Sequence, residues 1–181
     1  MTAIVKPTEA APKDFASMIR VDQAGEFGAT RIYAGQLAVM GSRAPDSAKI
    51  RHMAEQEERH REAFDRLIAE RGVRPTLLQP LWDRAGFALG AVTALLGPRA
   101  AMACTVAVET EIDRHYAEQL ETLEGSDDEE LTRMVADFRE EELQHKQEAL
   151  EARAEEAPGY PLLTGVIRMG CRAAIQLSKR I

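Results

Sequence analysis

The motif Glu-x-x-His occurs twice in this 181-residue chain, at positions 57–60 and 142–145. Residues three apart on an α-helix lie on one face, so the Glu and His of each copy can bind one metal ion together. Two further glutamates, Glu26 and Glu109, precede the two motifs. A glutamate from each of two helices, with Glu-x-x-His from each of two others, is the ligand set of di-iron and di-manganese helix bundles. The sequence therefore predicts redox chemistry at a buried pair of metal ions.

The predicted ligands lie on helical stripes that are apolar at both ends and ionisable in the middle. One such stripe consists of Ile50, Met53, Glu57, His60, Phe64 and Leu67. A buried carboxylate without a partner is costly, and four that converge would repel one another unless cations bind between them. A lone Glu-x-x-His is usually a solvated salt-bridging face, and Glu58, Glu140 and Glu141 are interpreted as surface charges of that kind. Two copies in core register instead favour a metal site, and its carboxylate-rich ligand set suits iron or manganese better than zinc.

The pattern of helices, turns and prolines predicts one all-α domain over residues 14–181, preceded by a flexible tail over 1–13. Two helix hairpins, 14–71 and 99–156, form a four-helix bundle with a long crossover between them. Two additional apolar or amphipathic helices are predicted at 81–97 and 161–179. The last helix of the second hairpin is predicted to run from 127 to 156, with Ser126 or Asp127 as its N-cap.

Composition and charge exclude several other classes of protein. Hydrophobic residues make up 45% of the chain and aromatic residues only 5%, which favours helix over sheet. The net charge of −7 disfavours a sequence-independent nucleic-acid binder. Two cysteines, Cys104 and Cys171, suit a reducing compartment and have no zinc-site spacing. Neither a secretory signal nor a confident membrane span is expected. No Gly-x-Gly-x-x-Gly strand–helix unit is found, so no tightly bound flavin or nicotinamide is expected.

Three polar residues are candidates to support the ligands from outside the metal coordination. Asp22 lies on the same stripe as the first candidate ligand; it is a candidate to orient a ligand histidine, or equally a partner for Arg20 or Arg114. Tyr116 is a candidate to line the substrate site or to hydrogen-bond a ligand, with a packed core tyrosine as an equal alternative. His115, next to it, belongs to the same group.

The sequence around these positions resembles that of the demethoxyubiquinone hydroxylase family of ubiquinone biosynthesis. The resemblance covers nearly the whole chain from Phe15 onward, and it depends mainly on the blocks 19–29, 31–36, 103–109, 115–116 and 139–145. The family usually has Tyr at the position of Phe27 and often His at that of Gln23, and neither difference touches a ligand.

The resemblance implies a ferritin-like di-iron monooxygenase with two Fe ions per chain and no catalytic group beyond the metal ligands. The ligands that it implies are Glu26, Glu57, His60, Glu109, Glu142 and His145, with Glu57 and Glu142 bridging the irons. The implied reaction uses O₂ to hydroxylate the ring of a polyprenyl methoxy-methyl-benzoquinol, demethoxyubiquinol, to 3-demethylubiquinol. The reductant is left open between NADH and the quinol itself. Other ubiquinone-biosynthesis proteins are possible partners.

The two helices beyond the bundle favour a peripheral location on a membrane, where a polyprenyl tail resides. In the last helix, Arg168, Arg172, Lys179 and Arg180 flank apolar residues, a pattern that suits an anionic membrane surface. In a bacterium this would be the cytoplasmic face of the cell membrane. Packing on the bundle, or an oligomer interface, is the alternative for this helix. The competing functions are a ferritin-like protein that oxidises or stores iron or scavenges peroxide, and a non-enzymatic membrane-bound adaptor.

Overall fold

The computed structural model describes residues 13–181, and this part of the chain is helical with no strand. The helices are α1 (Lys13–Met40), α2 (Ser47–Arg71), α3 (Gln79–Leu95), α4 (Pro98–Leu123), α5 (Glu129–Glu151) and α6 (Tyr160–Ser178), with a 3₁₀ turn, Ala154–Glu156, before α6. The predicted all-α class, with two helices added to a four-helix bundle, is confirmed. The predicted tail, 1–13, lies outside the described residues except for Lys13, with which α1 begins.

Helices α1 and α2 form one hairpin and α4 and α5 the other, with α3 in the crossover between them. Gly41 follows α1 with φ 66°, and Gly72 follows α2 with φ 63°. Both glycines adopt the left-handed conformation that ends a helix, which a side chain would strain. The Gly72 N–H also donates to the carbonyl of Ile68. Each hairpin thereby brings its own glutamate and its own Glu-x-x-His motif to the interior.

The boundaries of α5 differ from those predicted. The N-cap is Asp128 rather than Ser126 or Asp127: its Oδ1 accepts a hydrogen bond from the Leu131 N–H at 3.1 Å. Arg71 at the end of α2 also pairs with Asp128, so the cap joins the two hairpins. The helix ends at Glu151, not at 156, because Arg153 adopts a left-handed φ of 66° that interrupts the helical path.

Helix α3 lies against α1 at the distance of backbone contact. A Cβ placed on Gly90 would lie 1.9 Å from the carbonyl oxygen of Ile32, and one on Gly35 would lie 2.2 Å from that of Phe87. Only glycine allows two helices to approach this closely. The predicted apolar helix is therefore docked on the bundle along its length.

Helix α6 is held on α4 by a buried carboxylate. Glu111 accepts hydrogen bonds from Arg168 Nε at 2.6 Å and from Arg172 Nε at 2.8 Å. Burial raises the pKa of Glu111, but the hydrogen bonds from Arg172 and Arg168 outweigh burial and lower it to about 2. Two of the four cations predicted to face a membrane thus pair with a carboxylate of the fold, although both side chains stay partly exposed.

Apolar side chains nevertheless remain exposed on both added helices. On α3 and α6 they are Leu81, Phe87, Val92, Leu95, Leu162, Val166, Met169 and Leu177. None of the helices in residues 13–181 is both long enough and apolar enough to cross a bilayer.

Replacing Gly90 by Ala is expected to destabilise the protein by about 1–3 kcal/mol, because the new methyl group must push α3 away from α1. Gly165→Ala is the matched control: Gly165 is also helical, but a Cβ there meets no atom within 4 Å. The control should gain up to about 1 kcal/mol from helix propensity. Denaturant unfolding of both variants measures the difference, and equal stabilities would contradict the close contact.

Candidate metal centre

The six predicted ligands converge from four helices at the centre of the bundle. Each side chain is at most 1% exposed. Their ligand atoms form two groups, within each of which all atoms lie within 4.8 Å of one another. The first group is Glu26, Glu57, His60 and Glu142, and the second is Glu57, Glu109, Glu142 and His145. Two residues, Glu57 and Glu142, belong to both groups, as expected of carboxylates placed between two cations.

Several of these buried polar atoms have no hydrogen-bond partner among the described residues. They are Glu26 Oε2, both carboxylate oxygens of Glu57, His60 Nδ1, Glu109 Oε2 and Glu142 Oε1. Buried polar groups without partners are rare in folded proteins because each costs free energy. Here the free atoms face one another and are of the oxygen and imidazole types that iron and manganese bind. The donor set therefore fits a metal pair.

Burial and the neighbouring charges shift the pKa values of several residues in the cluster. Burial, followed by the charge of Glu142, raises the pKa values of Glu57 and Glu109 well above the ordinary range. Burial lowers the pKa of His60, but the neighbouring carboxylates of Glu142 and Glu26 outweigh burial and raise that pKa to about 10. A divalent cation that binds here would therefore compete with protons for these side chains.

Two tyrosines donate hydrogen bonds to the two glutamates that each belong to only one ligand group, Glu26 and Glu109. Tyr116 on α4 donates a hydrogen bond to Glu26 Oε1 on α1. Tyr33 on α1 donates to Glu109 Oε1 on α4 at 2.9 Å. A role for Tyr33 in supporting a ligand was not predicted from the sequence. Each tyrosine nevertheless follows the glutamate of its own helix by seven residues. That repeated spacing, two helical turns, was the signal available.

Asp22 and His115 form a neighbouring buried cluster. His115 Nε2 lies 3.2 Å from Asp22 Oδ1, and Gln119 donates to the same oxygen at 2.6 Å. The imidazole that Asp22 contacts is therefore His115 rather than a candidate ligand. Arg20 instead donates to backbone carbonyls, and Arg114 pairs with glutamates of its own helix.

Two further polar residues reach the histidines from the opposite side. Glu141 Oε2 lies 3.2 Å from His60 Nε2, and Gln56 Oε1 lies 3.1 Å from His145 Nε2. The interpretation of Glu141 as a surface charge is therefore incomplete, since one end of its side chain contacts a buried imidazole.

An apolar cavity of about 380 Å³ lies beside the site, between α1, α3, α4 and α6. Its lining includes Gly28, Trp82, Leu89, Ile167 and Cys171. A second gap, too narrow to hold a water molecule, shares the lining residues Ala29, Ile32 and Val108 with this cavity. The inner end of the gap is lined by Tyr33 and Glu109. Apolar side chains therefore continue from the cavity to one edge of the metal centre, although the passage between them is closed in this structure.

Comparison with known proteins gives a consistent result. Residues 13–178 match the family model described as ubiquinone biosynthesis protein COQ7. The chain is 53% identical over 163 residues to the 3-demethoxyubiquinol 3-hydroxylase of Rhodospirillum rubrum, a match covering 90% of this chain and 76% of the relative. It is 52% identical over 167 residues to the human NADPH-dependent 3-demethoxyubiquinone 3-hydroxylase, covering 91% and 76%. It is 43% identical over 179 residues to the 5-demethoxyubiquinone hydroxylase of Saccharomyces cerevisiae, covering 91% and 77%.

Because Glu57 and Glu142 belong to both ligand groups, we expect their variants to lose more metal than a variant of a ligand that belongs to one group. Glu57→Ala and Glu142→Ala each remove a ligand from both groups and should lose most of the bound metal. Glu109→Ala touches only the second group and should retain close to half. Glu58→Ala, which alters an exposed neighbour, should match the wild type. Metal analysis after anaerobic loading with Fe(II) measures the series, and equal iron content in all four variants would contradict the site.

Proposed function

Because the chain belongs to the ubiquinone biosynthesis protein COQ7 family, we propose that it is a monooxygenase of ubiquinone biosynthesis that hydroxylates the ring of a polyprenyl demethoxyubiquinol to 3-demethylubiquinol. One atom of O₂ enters a ring C–H bond, and the other leaves as water after uptake of two electrons and two protons. The observation that carries this function is the buried Glu and His cluster beside an apolar cavity.

Two iron ions held by Glu26, Glu57, His60, Glu109, Glu142 and His145 would supply the redox chemistry that activates O₂. The remaining tasks belong to the protein. Tyr116 and Tyr33 fix the carboxylates of Glu26 and Glu109 through hydrogen bonds. Such support from outside the coordination holds a ligand in place.

The shape of the apolar cavity favours a quinol with a long hydrocarbon tail. The cavity between α3 and α6 can accept prenyl groups, and the ring would reach the metal centre once the side chains around the closed gap, Ala29, Ile32 and Val108, move apart. Its apolar lining excludes water from the reacting carbon. Iron storage or peroxide scavenging, the competing functions, would give this cavity no role.

The exposed apolar faces of α3 and α6 support peripheral contact with a bilayer. Leu81 and Leu95 on α3, and Leu162 and Met169 on α6, are each more than half exposed. These helices also form walls of the cavity, so a tail could pass from lipid into the protein without crossing water. In a bacterial cell, we place the protein on the cytoplasmic face of the membrane.

The reaction can be tested with Fe(II)-loaded protein, a short-tailed demethoxyquinol and ¹⁸O₂. One hydroxyl that carries the label should appear on the ring. Glu109→Gln should abolish product while helix content by circular dichroism stays unchanged, because it removes a ligand charge with little change in volume. Glu140→Gln, an exposed neutralisation on α5, is the control and should retain activity. Label arriving from water, or rapid iron mineral formation without hydroxylation, would contradict the proposal.

Membrane contact should depend on apolar residues more than on charge, because Arg168 and Arg172 already pair with Glu111. Replacing Leu95 or Leu162 by Asp should reduce partitioning onto liposomes about tenfold or more, since burying a leucine side chain is worth about 1.5–3 kcal/mol. Leu143→Asp, at an exposed leucine on α5, is the control. Sedimentation with vesicles at low and high salt measures the effect. The prediction would be contradicted if the leucine variants bind vesicles as well as the wild type does while high salt abolishes binding.

A further inference from the structure

The two histidines of the metal centre are connected on the side away from the carboxylate cluster. Glu141 and Gln56 each immediately precede a shared glutamate, on α5 and α2 respectively. Each crosses to the other helix and contacts its histidine: Glu141 contacts His60, and Gln56 contacts His145. Gln56 Nε2 also donates to Glu141 Oε2 at 2.7 Å. The four side chains therefore form one continuous chain of hydrogen bonds.

Each donor in this chain meets an acceptor when the Nδ1 atoms bind metal. His60 Nδ1 lies 3.0 Å from Glu142 Oε1, and His145 Nδ1 lies 3.0 Å from Glu142 Oε2, so both Nδ1 atoms face the cluster. The ring hydrogens then reside on the Nε2 atoms. His145 donates to the Gln56 carbonyl, the Gln56 amide donates to Glu141, and His60 donates to the same carboxylate. The two contacts of Gln56 also fix which way its amide points.

The chain of hydrogen bonds is asymmetric although the site has two similar halves. A carboxylate stands behind His60, and a neutral amide stands behind His145. A hydrogen bond to a carboxylate is stronger than one to an amide and makes the imidazole a more basic metal ligand. Stacking of Phe138 on the His60 ring, with centroids 3.9 Å apart, holds that ring in plane independently of Glu141.

We propose that Gln56 and Glu141 are positioning residues that orient both imidazoles as one unit and make the two metal positions unequal, with the first cation bound on the His60 side. This inference rests on the metal centre of the proposed function. The simpler role for Glu141 is an ion pair on the protein surface, since Arg59 Nη2 lies 3.3 Å from the same carboxylate oxygen. Exchanging the two side chains distinguishes these roles.

The test uses the full chain loaded stepwise with Co(II), followed by titration calorimetry and by proton NMR of the exchangeable ring N–H signals. Glu141→Gln should weaken the tighter step about 10–100-fold, the range typical of lost ligand support, and should shift the His60 signal. The exchange variant, Gln56→Glu with Glu141→Gln, should restore two unequal steps with the His145 signal appearing first. Glu140→Gln, the same change of charge at an exposed position, should match the wild type.

Several outcomes would overturn the proposal. If Glu141→Gln and Gln56→Glu both leave the affinities and the ring signals at their wild-type values, the pair is only a surface contact. If the exchange variant binds its first cation on the His60 side, the asymmetry does not come from these residues. The single variants decide the first point even if the double variant fails to fold. A wild-type chain that binds no Co(II) would instead contradict the metal centre itself.

Discussion

Four carboxylates that face one another inside a helical bundle are the constraint on which this structure depends. Glu26, Glu57, Glu109 and Glu142 are each at most 1% exposed, so water cannot screen their mutual repulsion. The bundle meets this constraint with hydrogen bonds from Tyr33 and Tyr116 and with two histidines placed between the carboxylates. The remaining unpartnered oxygens create an affinity for divalent cations. The same unfavourable charge that would weaken the empty bundle thus becomes the source of its metal-binding energy.

The two sides of the centre have different chemistry. On the α2 and α5 side, Gln56, Glu141 and Arg59 form a polar network that reaches the protein surface. On the α1 and α4 side, a narrow gap lined by Ala29, Ile32 and Val108 separates the centre from an apolar cavity. A hydrophobic substrate can therefore approach through one side while the histidines are held from the other. The added helices α3 and α6 line the cavity on that side, so the proposed reaction would give both of them a role.

Helical periodicity was sufficient to predict the class of fold, the two hairpins and the grouping of the six candidate ligands, because each ligand lies on an apolar stripe. Features that depend on which helices become neighbours could not be predicted. Tyr33 binds Glu109 only because α1 lies beside α4, and Gly90 matters only because α3 docks on α1. Glu141 lies about 100° around the helix from Glu142, so its position on α5 indicated solvent, whereas its long side chain reaches back to His60. Arg153 ended α5 through its backbone conformation, which no side-chain pattern indicated.

The glycine contact between α1 and α3 also decides how the cavity can change its volume. Moving α3 would separate two backbones packed as closely as Gly35 and Gly90 allow. The opposite wall, α6, is attached differently: Arg168 and Arg172 reach Glu111 with side chains that are 40% and 48% exposed. The glycines of α6 make no backbone contact of that kind, since a Cβ on Gly165 or Gly170 would meet no atom within 4 Å. The two walls of the cavity are therefore attached in different ways: backbone contact fixes α3, whereas long arginine side chains hold α6, so α6 is the wall that we expect to adjust when the cavity changes its volume.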